Sequence, residues 1–226
     1  MSQSGVHYER YGRLGANEWM MRIGDAAAAP ILFVPPLFEE MNRTRALIAS
    51  VMRRLAAAGF GCWLIDLPGT GESERGIEAV EWDDWRQAIG AAAEHVGSAG
   101  GRKPVVAAVR GGCLIDDGAA EAQGRWHFAP VQGASLARDL LRAGLAGGAE
   151  WAGYAASPSL RAALETASIP SAPKLRTVRL ATYAGAADAK IAGPSLWRRS
   201  EPGNSPELAD AMAADLAEWS AQCANS

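Results

Sequence analysis

Residues 104–113 read Pro-Val-Val-Ala-Ala-Val-Arg-Gly-Gly-Cys, a β-prone run that ends in one large cationic side chain among small residues. Ala108 and Val109 precede Arg110, and Gly111 and Gly112 follow it. This is the steric pattern of a nucleophile elbow, in which a strand turns sharply into a helix and strains the residue at the bend. Small residues two before and two after the centre are needed because the turn leaves no room for larger ones. Covalent chemistry requires Ser, Cys or Asp at the centre. Arginine carries donors only and is always charged, so it cannot attack a carbonyl. The elbow presents an anion-binding group where a nucleophile would stand.

The elements that must position Arg110 alternate between strand and helix. Val6–Gly12 and Glu18–Ile23 read as two early strands, a candidate hairpin joined through Gly15 and Asn17. Ile31–Val34 is a buried-strand run closed by Pro35-Pro36. Leu47, Ile48, Val51 and Leu55 follow helical spacing within 43–58, and Gly59 stops that helix. A strand over 60–67, a Gly-rich loop over 68–76 and a helix over 82–96 lead to the elbow strand and a short helix reaching about Ala120. Strands are expected at 126–131, 177–183 and 190–192, with a helix at 135–145 and a small cap segment within 151–173. The last helix, 206–222, has Ser205 as N-cap, Pro206 in its first turn, and Glu207 and Asp210 near the positive end of its dipole. This order predicts a single α/β domain over 1–226, with a mainly parallel sheet and helices on both faces.

Several stretches, in order across nearly the whole chain, carry a resemblance. They are Phe33-Val-Pro-Pro-Leu-Phe-Glu-Glu-Met-Asn-Arg43, Leu64-Ile-Asp-Leu-Pro-Gly-Thr-Gly-Glu-Ser73, Trp82–Trp85, Val109–Leu114, Ala129–Gly133, Ala152–Tyr154, and Gly193–Trp197 with Glu201. Together they resemble the α/β-hydrolase superfamily, and more narrowly the second type of exosortase A system-associated hydrolase. The Pro-Pro-x-x-Glu-Glu-Met-Asn run and the arginine elbow are the specific parts. The Asp-Leu-x-Gly-x-Gly-x-Ser loop recurs throughout the superfamily. The resemblance implies a shortened α/β-hydrolase-like fold and a bacterial setting concerned with exopolysaccharide production and surface-protein sorting. It also implies the label of hydrolase, although fold does not carry function with it.

The residues themselves support that label poorly. A Ser-His-acid site needs a nucleophile, a base and an orienting carboxylate, and in this fold the histidine follows the last strand. The chain's histidines are His7, His95 and His127, all before the last 99 residues. His127 has the most functional position, because strand ends on such a sheet face the site. Loss of nucleophile and base together forfeits on the order of 10⁶ in rate. Cys113, one helical turn beyond Arg110, is a substitute nucleophile if the cation lowers its pKa, or else a small core residue. Ser73 reads as a turn-stabilising hydroxyl. Asp116 and Asp117 are adjacent and so point apart.

The remaining constellation joins Arg110 to Glu39, Glu40 and Asn42. In an α/β-hydrolase the loop after the third strand, here Pro36–Asn42, meets the elbow. A desolvated arginine needs an anionic partner, which Glu39 or Glu40 could supply through a bidentate fork. Arg110 then either plugs the site with an ion pair or stays partly free to bind a carboxylate or phosphate, helped by the helix N-terminus beneath it. Trp197, beside Gly193-Pro194, is placed to line the mouth, where a sugar ring could stack. Most other tryptophans, including Trp82, Trp85 and Trp219, fall on apolar helix sides and read as core.

Composition narrows the partners. A net charge of -3 gives no electrostatic reason to expect nucleic acid. No segment has the apolar length of a membrane span, and the Met-Ser-Gln-Ser-Gly start lacks the regions of a secretory signal. Three widely separated cysteines suit a reducing compartment, so a cytoplasmic location is expected. No residue set has metal-ligand spacing. Gly97–Pro104 precedes its strand and ends in Pro, unlike a phosphate loop, so no cofactor is expected. A homodimer is plausible, but no residue pattern indicates one. Two functions stay open: a non-catalytic protein that binds a small acidic molecule or partner, and a hydrolase of an ester, thioester or acylated sugar with an unorthodox site. In the second, Cys113 would act with His127, Glu39 or Glu40 as base.

Overall fold

Strand β1 (Val6–Tyr11) pairs antiparallel with β2 (Glu18–Ile23), and β2 runs antiparallel to β4 (Phe60–Ile65). All other neighbours are parallel: β3 (Ala29–Val34), β4, β5 (Val105–Val109), β6 (Gly124–Phe128), β7 (Leu175–Leu180) and β8 (Ala189–Ile191). The order across the eight-stranded sheet is β1-β2-β4-β3-β5-β6-β7-β8. This computed structural model describes residues 5–12, 18–147 and 150–225. The expected turn through Gly15 and Asn17 lies outside them.

Strands β3, β4 and β5 are apolar throughout because helices cover both their faces. Helices α1 (Glu39–Ala57) and α5 (Pro206–Ala224) bury Leu47, Val51, Leu55, Leu208, Met212 and Leu216 against one face. Helix α2 (Trp82–Gly100) covers the other with Trp85, Ile89 and Val96, joined by α3 (Gly133–Gly147) and α4 (Pro158–Thr166). The mainly parallel sheet with helices on both faces is the architecture expected from the sequence.

Three local expectations are corrected. Helix α1 starts at Glu39 rather than near Arg43, so the loop after β3 is shorter than expected and Glu39–Asn42 form the helix's first turn. Phe38, at φ 57°, launches the helix, and its positive dipole end favours the two glutamates. The α-helix expected after the elbow is replaced by two 3-10 turns, Arg110–Leu114 and Asp116–Gly118. Gly111 and Gly112 disfavour a helix, and a Cβ on Gly112 would lie 2.4 Å from the Pro35 carbonyl oxygen. The segment 151–173 contains a 3-10 turn, Glu150–Gly153, and helix α4, whose N-cap Ser157 accepts from Leu160 N at 3.1 Å. Strand β6 stops at Phe128, short of Val131, because Ala129 turns the chain at φ 49°.

Asp215 pins α5 to the sheet. Its carboxylate accepts from the Arg176 guanidinium at 2.9 and 2.7 Å and from the Trp126 indole at 2.7 Å. Partial burial works against its ionisation, but these donors and the Arg176 charge outweigh it and hold the carboxyl below its ordinary range. A depressed carboxylate stabilises the fold fully above its unfolded pKa, about 3.9, and the contribution disappears as pH falls through the folded value. Asp215→Asn is therefore expected to be less stable than the wild type at pH 7, with the gap closing below about pH 4. Thermal unfolding across pH 3–7 checks this, and a constant gap would contradict it.

Candidate functional site

Three neighbouring parallel strands, β3, β5 and β6, are each followed by a non-glycine residue with positive φ: Phe38 (57°), Arg110 (55°) and Ala129 (49°). Each such residue costs on the order of 1–3 kcal/mol, and such strain concentrates at functional sites. The strained positions converge at the C-terminal edge of the sheet, where ligands bind in open α/β folds. Arg110 occupies the bend of the elbow. Close packing around it explains the glycines: a Cβ on Gly111 would meet Leu136 at 2.8 Å and Leu37 at 3.0 Å.

Arg110 and Glu40 are both buried, with 9% and 8% of their surface exposed. Nε and Nη2 of Arg110 donate to the two Glu40 carboxylate oxygens at 3.0 and 2.8 Å, a bidentate fork. Nη1 donates to the Ala129 carbonyl oxygen at 3.1 Å, so the strained turn after β6 also supports the arginine. These bonds use three of the five guanidinium N–H groups. The guanidinium carbon lies 4.7 Å from the centre of the Trp197 ring. Trp197 is held in turn by an edge contact with Phe128 and by the Arg43 guanidinium, which donates to its carbonyl at 3.0 Å. Arg110, Glu40 and Trp197 thus form one connected group.

Glu39 borders the group, sharing a groove with Glu40, Arg43 and Trp197, and the remaining candidates stand apart from it. Glu39 accepts from the Tyr154 hydroxyl at 3.5 Å and lies 3.6 Å from Arg43. Burial pushes the Tyr154 phenol up to about 12, with the Glu39 charge and hydrogen bond adding to the effect. Asn42 is exposed on α1. Cys113 is wholly buried, and its thiol donates to the Ala108 carbonyl at 3.3 Å. Burial drives its pKa well above the ordinary thiol range; Asp116 reinforces this, and Arg110 and Arg179 oppose it without prevailing. His127 is level with Ala108 across the β5–β6 pair, and its Nε2 lies 2.9 Å from Asp116 Oδ2, both groups fully buried. Arg125 approaches the same carboxylate oxygen at 3.1 Å. Asp117 points away to bond Arg86 at 2.7 and 3.0 Å. Ser73 accepts from the Gly69 and Arg75 amides, which is the turn role expected of it. His95 lies 3.3 Å from Glu9, and His7 is exposed on β1.

A cavity of about 230 Å³ opens beside Arg110, with Arg179, Tyr183, Ser195, Trp197 and Arg198 in its wall. Sequence reasoning singled out only Arg110 and Trp197 among these. The others lie at the end of β7 and in the loops after β7 and β8. The available signal was positional: the triad histidine of this fold belongs after the last strand, and that segment here carries Ser195, Trp197 and Arg198. Among the described residues, no group of three or more His, Cys, Asp or Glu is arranged to hold a metal ion.

No family model and no curated protein matches the chain. Among solved structures it is similar to Est1E from Butyrivibrio proteoclasticus with ferulic acid bound, at a TM-score of 0.68 and 12% identity, over 94% of this chain and 99% of that one. It is also similar to a proline iminopeptidase-related protein from Thermus thermophilus, at a TM-score of 0.48 and 17% identity, over 65% of this chain. An epoxide hydrolase from Vigna radiata aligns at a TM-score of 0.45 and 13% identity, over 64% of this chain. The matched regions span about half the length of the last two proteins, 52% and 47%. The likeness to Est1E extends along nearly the whole of both chains, and with the strand order and the strained elbow it gives this protein the α/β-hydrolase fold.

Proposed function

We propose that this chain is a non-catalytic α/β-hydrolase-fold protein in which the Arg110–Glu40 pair closes the elbow and the adjoining cavity binds a small acidic molecule. The observation that carries this reading is the arginine at φ 55° in the elbow, its fork engaged by a buried glutamate. A side chain that only donates hydrogen bonds cannot form an acyl-enzyme. The cavity beside it exposes cations and hydroxyls, which suits an anionic ligand. The sequence resemblance to the exosortase-associated hydrolases supports a role beside a bacterial exopolysaccharide system.

An active hydrolase built on Cys113 is the other reading. It needs a thiolate within reach of a base. Against it stand the enclosed thiol with its raised pKa and the engagement of His127 by Asp116. The cavity beside Arg110 has neither Cys113 nor His127 in its wall.

The wild type is expected to show no turnover of short acyl esters or thioesters above an inactive-protein control. Arg110→Ser should stay inactive too, since it restores a hydroxyl without a base. Turnover that Cys113→Ala abolishes would establish the hydrolase instead. A second check is thiol accessibility. Cys62, Cys113 and Cys223 are all buried and free, so a thiol reagent near pH 8 should label none of them before unfolding and all three after it. Rapid native labelling lost in Cys113→Ala would contradict the closed elbow.

A further inference from the structure

We propose that the cavity beside Arg110 binds the phosphoryl group of a small phosphomonoester, an assignment that rests on the anion-binding reading above and specifies its ligand. Arg110 is neutralised by Glu40, whereas Arg179 and Arg198 reach the same cavity without an ion-pair partner among the described residues. No carboxylate among the described residues lines the cavity. It therefore presents two guanidinium groups outside any ion pair, Arg179 within the cavity and Arg198 at its border with the groove lined by Glu39, Glu40 and Asp139. A phosphomonoester carries about -1.5 to -2 at pH 7 and matches them; a carboxylate would leave one unmet.

Arg179 is fixed by a bond from Nη1 to the Pro130 carbonyl at 3.0 Å and by stacking on Tyr183 at 4.3 Å, while its Nη2 makes no hydrogen bond among the described residues. Two N–H groups of Arg110 are also unused, one on each terminal nitrogen. Thr182, Tyr183 and Ser195 add hydroxyls to the wall. Such a set can serve the three acceptor oxygens of a phosphate ester better than the two of a carboxylate. Lys190 donates to the Tyr183 carbonyl at 2.9 Å and steadies the loop that carries two of those hydroxyls.

At about 230 Å³, the cavity is smaller than the roughly 300–1,000 Å³ clefts that hold drug-sized ligands. A compact ester fits this scale. The end of β7 and the segments after β7 and β8, where this fold brings its acid and base to the elbow, instead carry the cations and hydroxyls.

Isothermal titration calorimetry on the full chain tests the assignment, with inorganic phosphate, glucose 1-phosphate and acetate as probes. Both phosphate probes should bind, the ester more tightly than the free ion, and acetate at least about tenfold more weakly. Arg179→Gln and Arg198→Gln should each weaken phosphate binding about tenfold or more. Arg198 is exposed, so its replacement leaves the fold intact and decides the matter if Arg179→Gln fails to fold. Acetate bound as tightly as phosphate would overturn the phosphoryl assignment while sparing the anion-binding reading. Phosphate binding unaffected by either replacement would place the ion elsewhere and overturn the assignment. Binding of none of the three probes would overturn both.

Discussion

A guanidinium buried at the bend of a strained elbow is stable only with a charge beside it. Removal of such an ion from water costs several kcal/mol even after the surroundings relax, and the positive φ at Arg110 adds a further cost. The fork to Glu40 answers the first, and the bond to the Ala129 carbonyl ties a second turn to the same group. Other features at this edge of the sheet follow from that pairing. Helix α1 must begin at Glu39 so that its first turn delivers Glu40 to the elbow, and Phe38 adopts an unfavourable backbone conformation to start it there. Phe38 is held in that conformation by edge contacts with Trp85 on helix α2, Trp151 in the 3-10 turn after α3, and Tyr154 just beyond that turn.

On the proposed reading, the same pairing separates the scaffold from the chemistry of its fold. An elbow normally strains its central residue to expose a nucleophile. Here the strain is retained, but the side chain folds back onto a carboxylate and an aromatic ring. The cations and hydroxyls of the adjoining wall come from the end of β7 and the loops after β7 and β8. Meanwhile the Asp116–His127 pair, with Arg125 beside it, is fully enclosed between β6 and the 3-10 turn beyond the elbow. On the proposed reading, that cluster uses catalytic residue types for support inside the core.

Much of this was legible in the sequence. Ala108, Gly111 and Gly112 signal an elbow because only small residues pack at such a turn, and Gly112 does approach the Pro35 carbonyl closely. The alternation of apolar runs and helical repeats specifies a parallel sheet with helices on both faces. Glu40 could be named as a partner of Arg110, but not separated from Glu39. The choice depends on where α1 starts, and that depends on Phe38 in a conformation that no propensity favours. Ser195 fell in a matching stretch without a role assigned to it, and Arg179, Tyr183 and Arg198 lay outside all such stretches; only the fold brings the ends of β7 and β8 to the elbow. Cys113 and His127 were visible as reactive types, whereas their enclosure is a tertiary property.

The most direct test is a double-mutant cycle on Arg110 and Glu40, with Arg110→Met, Glu40→Leu and the double replacement unfolded in chemical denaturant. Each single change strands a buried charge and should cost about 3–5 kcal/mol. The double change removes both charges and should cost no more than either single change. Additive effects, or single changes each costing less than about 0.5 kcal/mol as at an ordinary surface position, would contradict the buried pair as the constraint on which the elbow depends.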